Sequence, residues 1–235
     1  MKFIQTLAFA CLFFTGMLTA QDDMHIQMEI STVESSNPEA AAMLEMMKGT
    51  EYQVYYQDGK SLTNINMMGG MVGIKNVINK EGDMNMFFDM MGNKMHVEST
   101  KIELEKMKAE NPNPLSDLDI KYDKDDKKTI AGYECYKMMV TSKDPEAGEF
   151  SLEGYVTEDI KINASVIQGV DLSEFEGFPL EYKLNMGQAI LGVTTVELKD
   201  EVPAGVFDID SKGYTKMTMD EFMSAMGGMG AGMGF

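Results

Sequence analysis

The chain contains no arginine, no tryptophan, two cysteines and two histidines. Each scarcity excludes something. Without arginine there is no bidentate fork for a carboxylate or phosphate, because all 20 basic residues are lysine. A ligand site here is therefore not organised around an anion. The formal net charge of −18 repels phosphate backbones, which removes nucleic acid as a partner. Cys11 lies near the N-terminus, so beyond the first 20 residues Cys135 stands alone and no internal disulfide forms. Cys135 with His25 or His96 is the sole material for a nucleophilic pair; the other reading is a small buried apolar residue in a strand. GxSxG, HExxH and CxxC are all missing, and carboxylate pairs among 38 acidic residues carry no information. The expectation is a protein that is not an enzyme and that needs no cofactor.

Several features are abundant. Residues 1–20, MKFIQTLAFACLFFTGMLTA, place Lys2 before an apolar run that closes on Leu18-Thr19-Ala20, followed by Gln21-Asp22-Asp23. This is the pattern of an export signal peptide, with a retained membrane anchor as the alternative. Cys11 falls inside the apolar run rather than at a lipoprotein cleavage site. No later stretch reaches spanning length, so no transmembrane anchor is expected after cleavage, and the mature chain is expected in the periplasm or outside the cell. The rest of the chain reads as one β-rich domain, 21–226, and a flexible Gly/Met-rich tail, 227–235, in which five of nine residues are glycine.

Period-two alternation recurs along the domain. In "MHIQMEIS", Met24, Ile26, Met28 and Ile30 alternate with polar residues, the mark of a strand with one buried face. "EYQVYYQ" runs into Asp58-Gly59, a hairpin signal, and "SLTNINM" returns. "GIKNVINK", "MNMFFDMM" and "KMHVES" come next, separated by Glu81-Gly82-Asp83 and by Gly92-Asn93. Further strands are expected at "KTIAGYECYKMMVTS", "EFSLEGYVTE", "FPLEYKLNM" and "AILGVTTVELK". Short helices are expected at "NPEAAAMLEMMKG", capped by Asn37 and ended by Gly49, at "STKIELEKMKAE", opened by Ser99 or Thr100 with Glu103, and at "TMDEFMSAM", capped by Thr218. "DKDDKK" reads as a solvated loop or hairpin end. "DIKINASVIQGVDLSEFEGF" stays ambiguous, and its Asn163-Ala-Ser triplet matches a glycosylation acceptor of a kind frequent by chance. Roughly ten strands without crossover helices predict an α+β, mostly antiparallel β fold: a curved sheet or incomplete barrel with two or three short helices on its concave side.

Two ligand classes suit such a chain. An apolar cavity would be lined by Met84, Met86, Phe88, Met90, Tyr136, Met138, Leu180, Tyr182 and Met186, since methionine re-packs around varied apolar ligands. Alternatively, thioethers are soft ligands for Cu(I). One cluster comprises Met84, Met86, Met90, Met91, Met95 and His96; a second comprises Met217 and Met219 with the tail-side candidates Met223, Met226, Met229 and Met233. A calcium loop is excluded: Asp208, Asp210 and Gly213 fit an EF-hand, but Lys212 and Met219 occupy ligand positions. A third reading is a structural envelope protein whose apolar interior is simply its core.

"KTIAGYECYKMMV", then "FPLEY" and "VPAGVFDIDSKGYTKM", resemble an uncharacterised family of secreted bacterial proteins, a domain of unknown function. That family resembles LolA-type lipoprotein carriers at fold level. The resemblance covers most of residues 24–222 and implies an incomplete barrel whose concave apolar face, lidded by helices, shelters acyl chains. It also implies that the closing segment forms the last core strand and the turn after it. The arginine that LolA-type carriers use in gating lipoprotein release has no counterpart here. The implied role thus moves from lipoprotein trafficking to a periplasmic or secreted binding protein for a lipid-like ligand, with an apolar small molecule as partner.

Overall fold

The structure is a computed structural model that describes residues 23–110, 118–142, 150–162, 175–187, 189–222 and 224–225. Its strands are β1 (Asp23–Ser35), β2 (Glu51–Gln57), β3 (Lys60–Met67), β4 (Val72–Ile78), β5 (Met84–Met90), β6 (Asn93–Ser99), β7 (Leu118–Ile130), β8 (Tyr133–Ser142), β9 (Phe150–Thr157), β10 (Phe178–Met186), β11 (Ala189–Lys199) and β12 (Thr215–Met217). They form one unclosed, curved sheet of 12 strands in the order β12-β6-β5-β4-β3-β2-β1-β11-β10-β9-β8-β7. Every pairing is antiparallel except β12 with β6.

The order has a simple cause. β1 to β6 are consecutive neighbours, as are β7 to β11, so the chain lays down two meanders. β1 joins them by pairing with β2 on one side and β11 on the other. Tight turns make the meanders possible. Ala131 (φ 47°) and Gly132 (φ 90°) both adopt the left-handed conformation that a two-residue hairpin requires. The same turn occurs at Asp58–Gly59 and at Met91–Gly92. "KTIAGYECYKMMVTS" is therefore a hairpin between two strands and not a single strand, and Asn93 already belongs to β6.

The period-two reading of β1 holds. Met24, Ile26 and Met28 are 0% exposed and Ile30 is 2%. These four point to one face, and cross-strand register carries that face over the sheet. One row runs Thr195–Met28–Tyr52–Ile65–Ile74–Phe88–Met95, another Leu198–Ile26–Val54–Thr63–Asn76–Met86–Val97–Met217. We call this the inner face. Most of the fully buried side chains, from Met24 to Val193, form a core around strands β1, β2 and β7 to β11. A second, smaller core gathers Phe88, Met95, Val97 and Phe222 at the β6 edge.

Three expectations need correction and a fourth, helices on the concave side, holds in part. A helical turn from Met219 seats Phe222 on the inner face. α1 (Pro38–Glu45) packs beside β1, and α2 (Lys101–Glu110) leaves Ile102 77% exposed with Leu104 and Met107 half-buried. Its charged sequence has too narrow an apolar stripe to seat on a sheet. What the α2 region does have is the capping box: the Thr100 N–H donates to Glu103 Oε2 at 2.7 Å, and the Glu103 N–H to Thr100 Oγ1 at 3.2 Å. "DKDDKK" is not a loop but part of β7, with a bulge between Asp123 and Lys127 where the Asp123 carboxylate accepts from the N–H groups of Asp125 and Asp126. "VPAGVFDIDSKGYTKM" is not the last core strand, which is β11. It is the connection that leaves β11 at mid-sheet and reaches the far edge as β12. Strands number 12 among the described residues rather than roughly ten.

Ile26 sits where the two meanders join, packed between Val54 and Leu198. Ile26→Ala is expected to destabilise the protein by about 2–5 kcal/mol, the range for a buried aliphatic truncation, read as a lower urea midpoint at unchanged slope. A loss below about 0.5 kcal/mol would show that this join is not a packed core.

Candidate functional site: the inner face and its two halves

The inner face divides into a closed half and a half-open one. In the closed half, Tyr182 and Tyr52 lie among Met28, Ile30, Val193 and Leu180. The Tyr182 and Tyr52 hydroxyls are hydrogen-bonded to one another. Burial holds the Tyr182 phenol well above its ordinary pKa, with the neighbouring Tyr52 adding to the shift. Two phenols thus satisfy one another in an otherwise apolar interior. Tyr136 lies at the rim of this half. Its ring meets Tyr122 edge-on at 5.7 Å and its hydroxyl donates to Glu158 Oε1 at 2.9 Å. Lys124 sits 4.9 Å from the ring centroid and ties down Glu158 and Glu176 at 2.9 and 3.1 Å. Burial, then the bond to Glu158, raises the Tyr136 pKa.

In the half-open part, β4 lies inside the sheet with a neighbour on each side, yet none of its residues is fully buried. Its inner side chains are Val72, Ile74, Asn76 and Ile78, in register with Met90, Phe88, Met86 and Met84 on β5. Met84, Met86 and Met90 are half-buried too, while Phe88 is buried under Phe222 in an edge-on contact at 5.6 Å. A helical turn from Met219 carries Phe222, capped as expected: the Thr218 N–H donates to Glu221 Oε2 at 2.8 Å and the Glu221 N–H to Thr218 Oγ1 at 3.2 Å. Met217 and Met219 pack against the same cluster. The Asn76 Oδ1 atom is buried and has no hydrogen-bond partner among the described residues.

The outer face is polar. His96 stacks on Phe87 at 4.2 Å and bonds Asn85 Oδ1 through Nε2 at 3.0 Å; burial holds its imidazole below the usual pKa, against the pull of Glu98. Tyr214 meets Phe87 edge-on at 5.3 Å. The segment around β12 therefore grips the β6 edge from both sides, with Tyr214 outside and Phe222 inside. A dent of about 280 Å³ also opens on the polar face, over Gly192.

No family model matches the chain, and no curated protein does. Solved structures do. The chain is similar to the lipoprotein LppX of Mycobacterium tuberculosis, at 10% identity and a TM-score of 0.40, over 77% of this chain and 88% of that one. It is similar to a LolA-superfamily protein of Nitrosomonas europaea, at 11% identity and a TM-score of 0.32, over 80% of this chain and 91% of that one. A chain of the Pseudomonas aeruginosa MucA/MucB complex matches at 12% identity and a TM-score of 0.36, over 86% of this chain, which spans 61% of that one. These likenesses are of fold.

The nine lining candidates do not converge on one cavity. Tyr136, Met138, Leu180 and Tyr182 are 8%, 0%, 0% and 4% exposed, all inside the larger core. Met86, Phe88 and Met90 belong to the smaller core, and Met84 shares their face. The Met186 backbone pairs with Phe150, its side chain falling outside the described residues. Met223, Met226, Met229, Met233 and Asn163 also lie outside the described residues. Of the other methionine cluster, Met91 is 75% exposed at a turn and His96 faces outward, so these two leave the group on the inner face. Tyr52 and Ile74 join the lining without having been singled out in the sequence, although the alternation in "EYQVYYQ" and "GIKNVINK" marks both. The partnering of Tyr52 with Tyr182 has no signal in sequence. Strands β3 to β9 lie between the two residues along the chain, whereas only β1 and β11 lie between them in the sheet.

Among the described residues no group of three His, Cys, Asp or Glu side chains is placed to hold a metal ion. Cys135 is buried, with its thiol 3.6 Å from the Tyr133 carbonyl oxygen and its pKa pushed up to about 11 by burial. It is thus neutral at physiological pH. The native thiol is expected to resist a thiol reagent at pH 8 and to react within seconds in urea. Because the folded pKa exceeds the unfolded value of about 8.5, the stabilisation is complete below that pH and is lost as pH rises towards the folded value. Rapid labelling of the folded protein at pH 8 would contradict the burial.

Proposed function

We propose that the protein is an exported, non-enzymatic binding protein that holds a lipid-like apolar ligand against the half-open part of its inner face. The observation that carries this reading is β4. An interior strand whose apolar side chains Val72, Ile74 and Ile78 are only half-buried is an uncovered stretch of an otherwise closed core. Apolar surface left open beside a core is where an apolar ligand gains by burial. The bordering residues Met84, Met86 and Met90 are unbranched and adaptable, which suits a flexible acyl chain better than a rigid ring system. The lack of arginine leaves the headgroup without a bidentate clamp, so recognition rests on the chain and not on an anion.

Native mass spectrometry of the mature protein is expected to show adducts of acyl-lipid mass. Ile74→Asp should remove them while leaving the melting temperature within a few degrees, since the site is only half-buried. A ligand-free mass from protein made in several hosts would overturn the reading.

A second reading has its own observation. Met86, Met90, Met95, Met217 and Met219 all pack into the smaller core around Phe88 and Phe222. Five thioethers in one cluster offer the soft donors that Cu(I) takes. Competition with a Cu(I) chelator is expected to give a Kd tighter than about 1 μM, lost in the Met217→Leu, Met219→Leu double variant. Weaker binding, or an unchanged affinity in that variant, would exclude this cluster as a copper site.

A further inference from the structure

We propose that the dent on the outer face, floored by Gly192, binds a sugar ring. It lies across β9, β10, β11 and β1, on the side of the sheet away from the apolar ligand. Gly192 is in register with Lys183 on β10 and with Thr32 on β1. Both neighbouring strands are irregular close by: β1 bulges between Ile30 and Thr32, and β10 between Pro179 and Glu181. A glycine inside a strand marks a point of close approach, and bulges re-aim side chains beside functional sites. Here the two features coincide. The bulge in β1 turns Ser31 outward, with its hydroxyl 3.4 Å from the Gly192 carbonyl oxygen and 3.3 Å from Thr194 Oγ1.

The chemistry of the lining selects the ligand. Its carboxylates are already paired: Glu181 takes Lys128 at 2.7 Å through each oxygen, and Glu153 takes Lys137 at 2.8 Å. A free anion would meet Glu153 and Glu181, and a free cation would meet Lys183 and Lys128. Net charge is therefore not what the dent recognises. It offers the hydroxyls of Ser31 and Thr194, the Lys183 ammonium as donor, and the remaining lone pairs of two carboxylates as acceptors. A neutral ligand dense in hydroxyl groups, each able both to donate and to accept, matches this mixture. The volume of about 280 Å³ lies just below the ~300–1,000 Å³ range of small-molecule pockets, the size of one or two sugar rings. The floor must stay glycine, because a Cβ at residue 192 would come within 2.8 Å of Thr32 Cβ.

Titration of the full mature chain with glucose, N-acetylglucosamine and their β-1,4-linked dimers, followed by NMR shifts, tests this. Saturable binding with a Kd of about 1 mM or tighter is expected for at least one of them. Ser31→Ala and Lys183→Met, both at exposed positions, should each weaken it about tenfold with the melting temperature unchanged. The proposal is overturned if none of the four sugars saturates by about 50 mM, or if affinity is the same in both variants. Tighter binding of acetate or methylamine than of any sugar would overturn it as well, by showing a site selected by charge. Lipid adducts on the inner face would be unaffected in either variant, so the two sites are read separately.

Discussion

The whole sheet depends on the pairing of β1 with β11. Without it the chain would be two separate meanders, because among the described residues no other strand pair links β1–β6 to β7–β11. The partners are far apart in sequence: His25 faces Lys199 and Ser35 faces Ala189. Closing a loop of that length costs about 4–5 kcal/mol in chain entropy, growing only logarithmically with length. Burying the four inner side chains of β1 offsets it, at roughly 1.5–3 kcal/mol each. The join is therefore favourable through burial, and hydrogen bonds supply its register. Such a long-range pairing also implies slow folding, since neither meander alone covers the greasy side of β1.

The join also explains why one inner face has two characters. Around β1 the sheet curls enough for side chains from β2 and from β8 to β11 to meet one another, and the Tyr52–Tyr182 pair marks where they do. Further from the join, β4 and β5 lie in the smaller cluster, to which no described residue of the second meander contributes. Cover comes instead from the chain's own end, which returns along the β6 edge and seats Phe222 on Phe88. That cover reaches Met95 and Val97 fully but Ile74 and Met86 only in part. The half-open stretch is thus the interval between two sources of burial.

Much of this was legible in residues. The alternation of Met24, Ile26, Met28 and Ile30, and of Leu180 with Tyr182, identified the inner positions because a strand's period is fixed by its geometry. Asp58-Gly59 and the Thr218 cap read correctly because turns and caps are local; the Glu221 half of that cap was not singled out. β7 was hidden because its outer residues are stabilised by cross-strand ion pairs, such as Lys127 with Glu134 and Lys128 with Glu181, and not by apolar burial. Charge runs of that kind look like loops. The separation of Met138 from Met86 was illegible for another reason. Both alternate in the same way along their strands, and only the order of strands decides which core each enters.

The bulges connect the two faces. The β1–β11 register shifts at Gln27/Met28, where Val196 is the extra residue on β11, and at Ile30/Thr32, where Ser31 is the extra residue on β1. β10 shifts between Pro179 and Glu181, so the three irregularities fall on β11 and the two strands that flank it. A bulge adds a residue on one strand, bends it and increases its twist. On the inner side that bending brings Ile30, Val193 and Tyr182 into one closed core. On the outer side the extra residue Ser31 is exposed and lines the dent with Gly192, and the extra residue Val196 is exposed further along β11. Curvature that closes an apolar interior must open the convex surface, and it opens where the strand between two bulges carries no side chain. The dent and the buried core are two consequences of one set of backbone irregularities. A regular, flat β10–β11–β1 ladder would have neither.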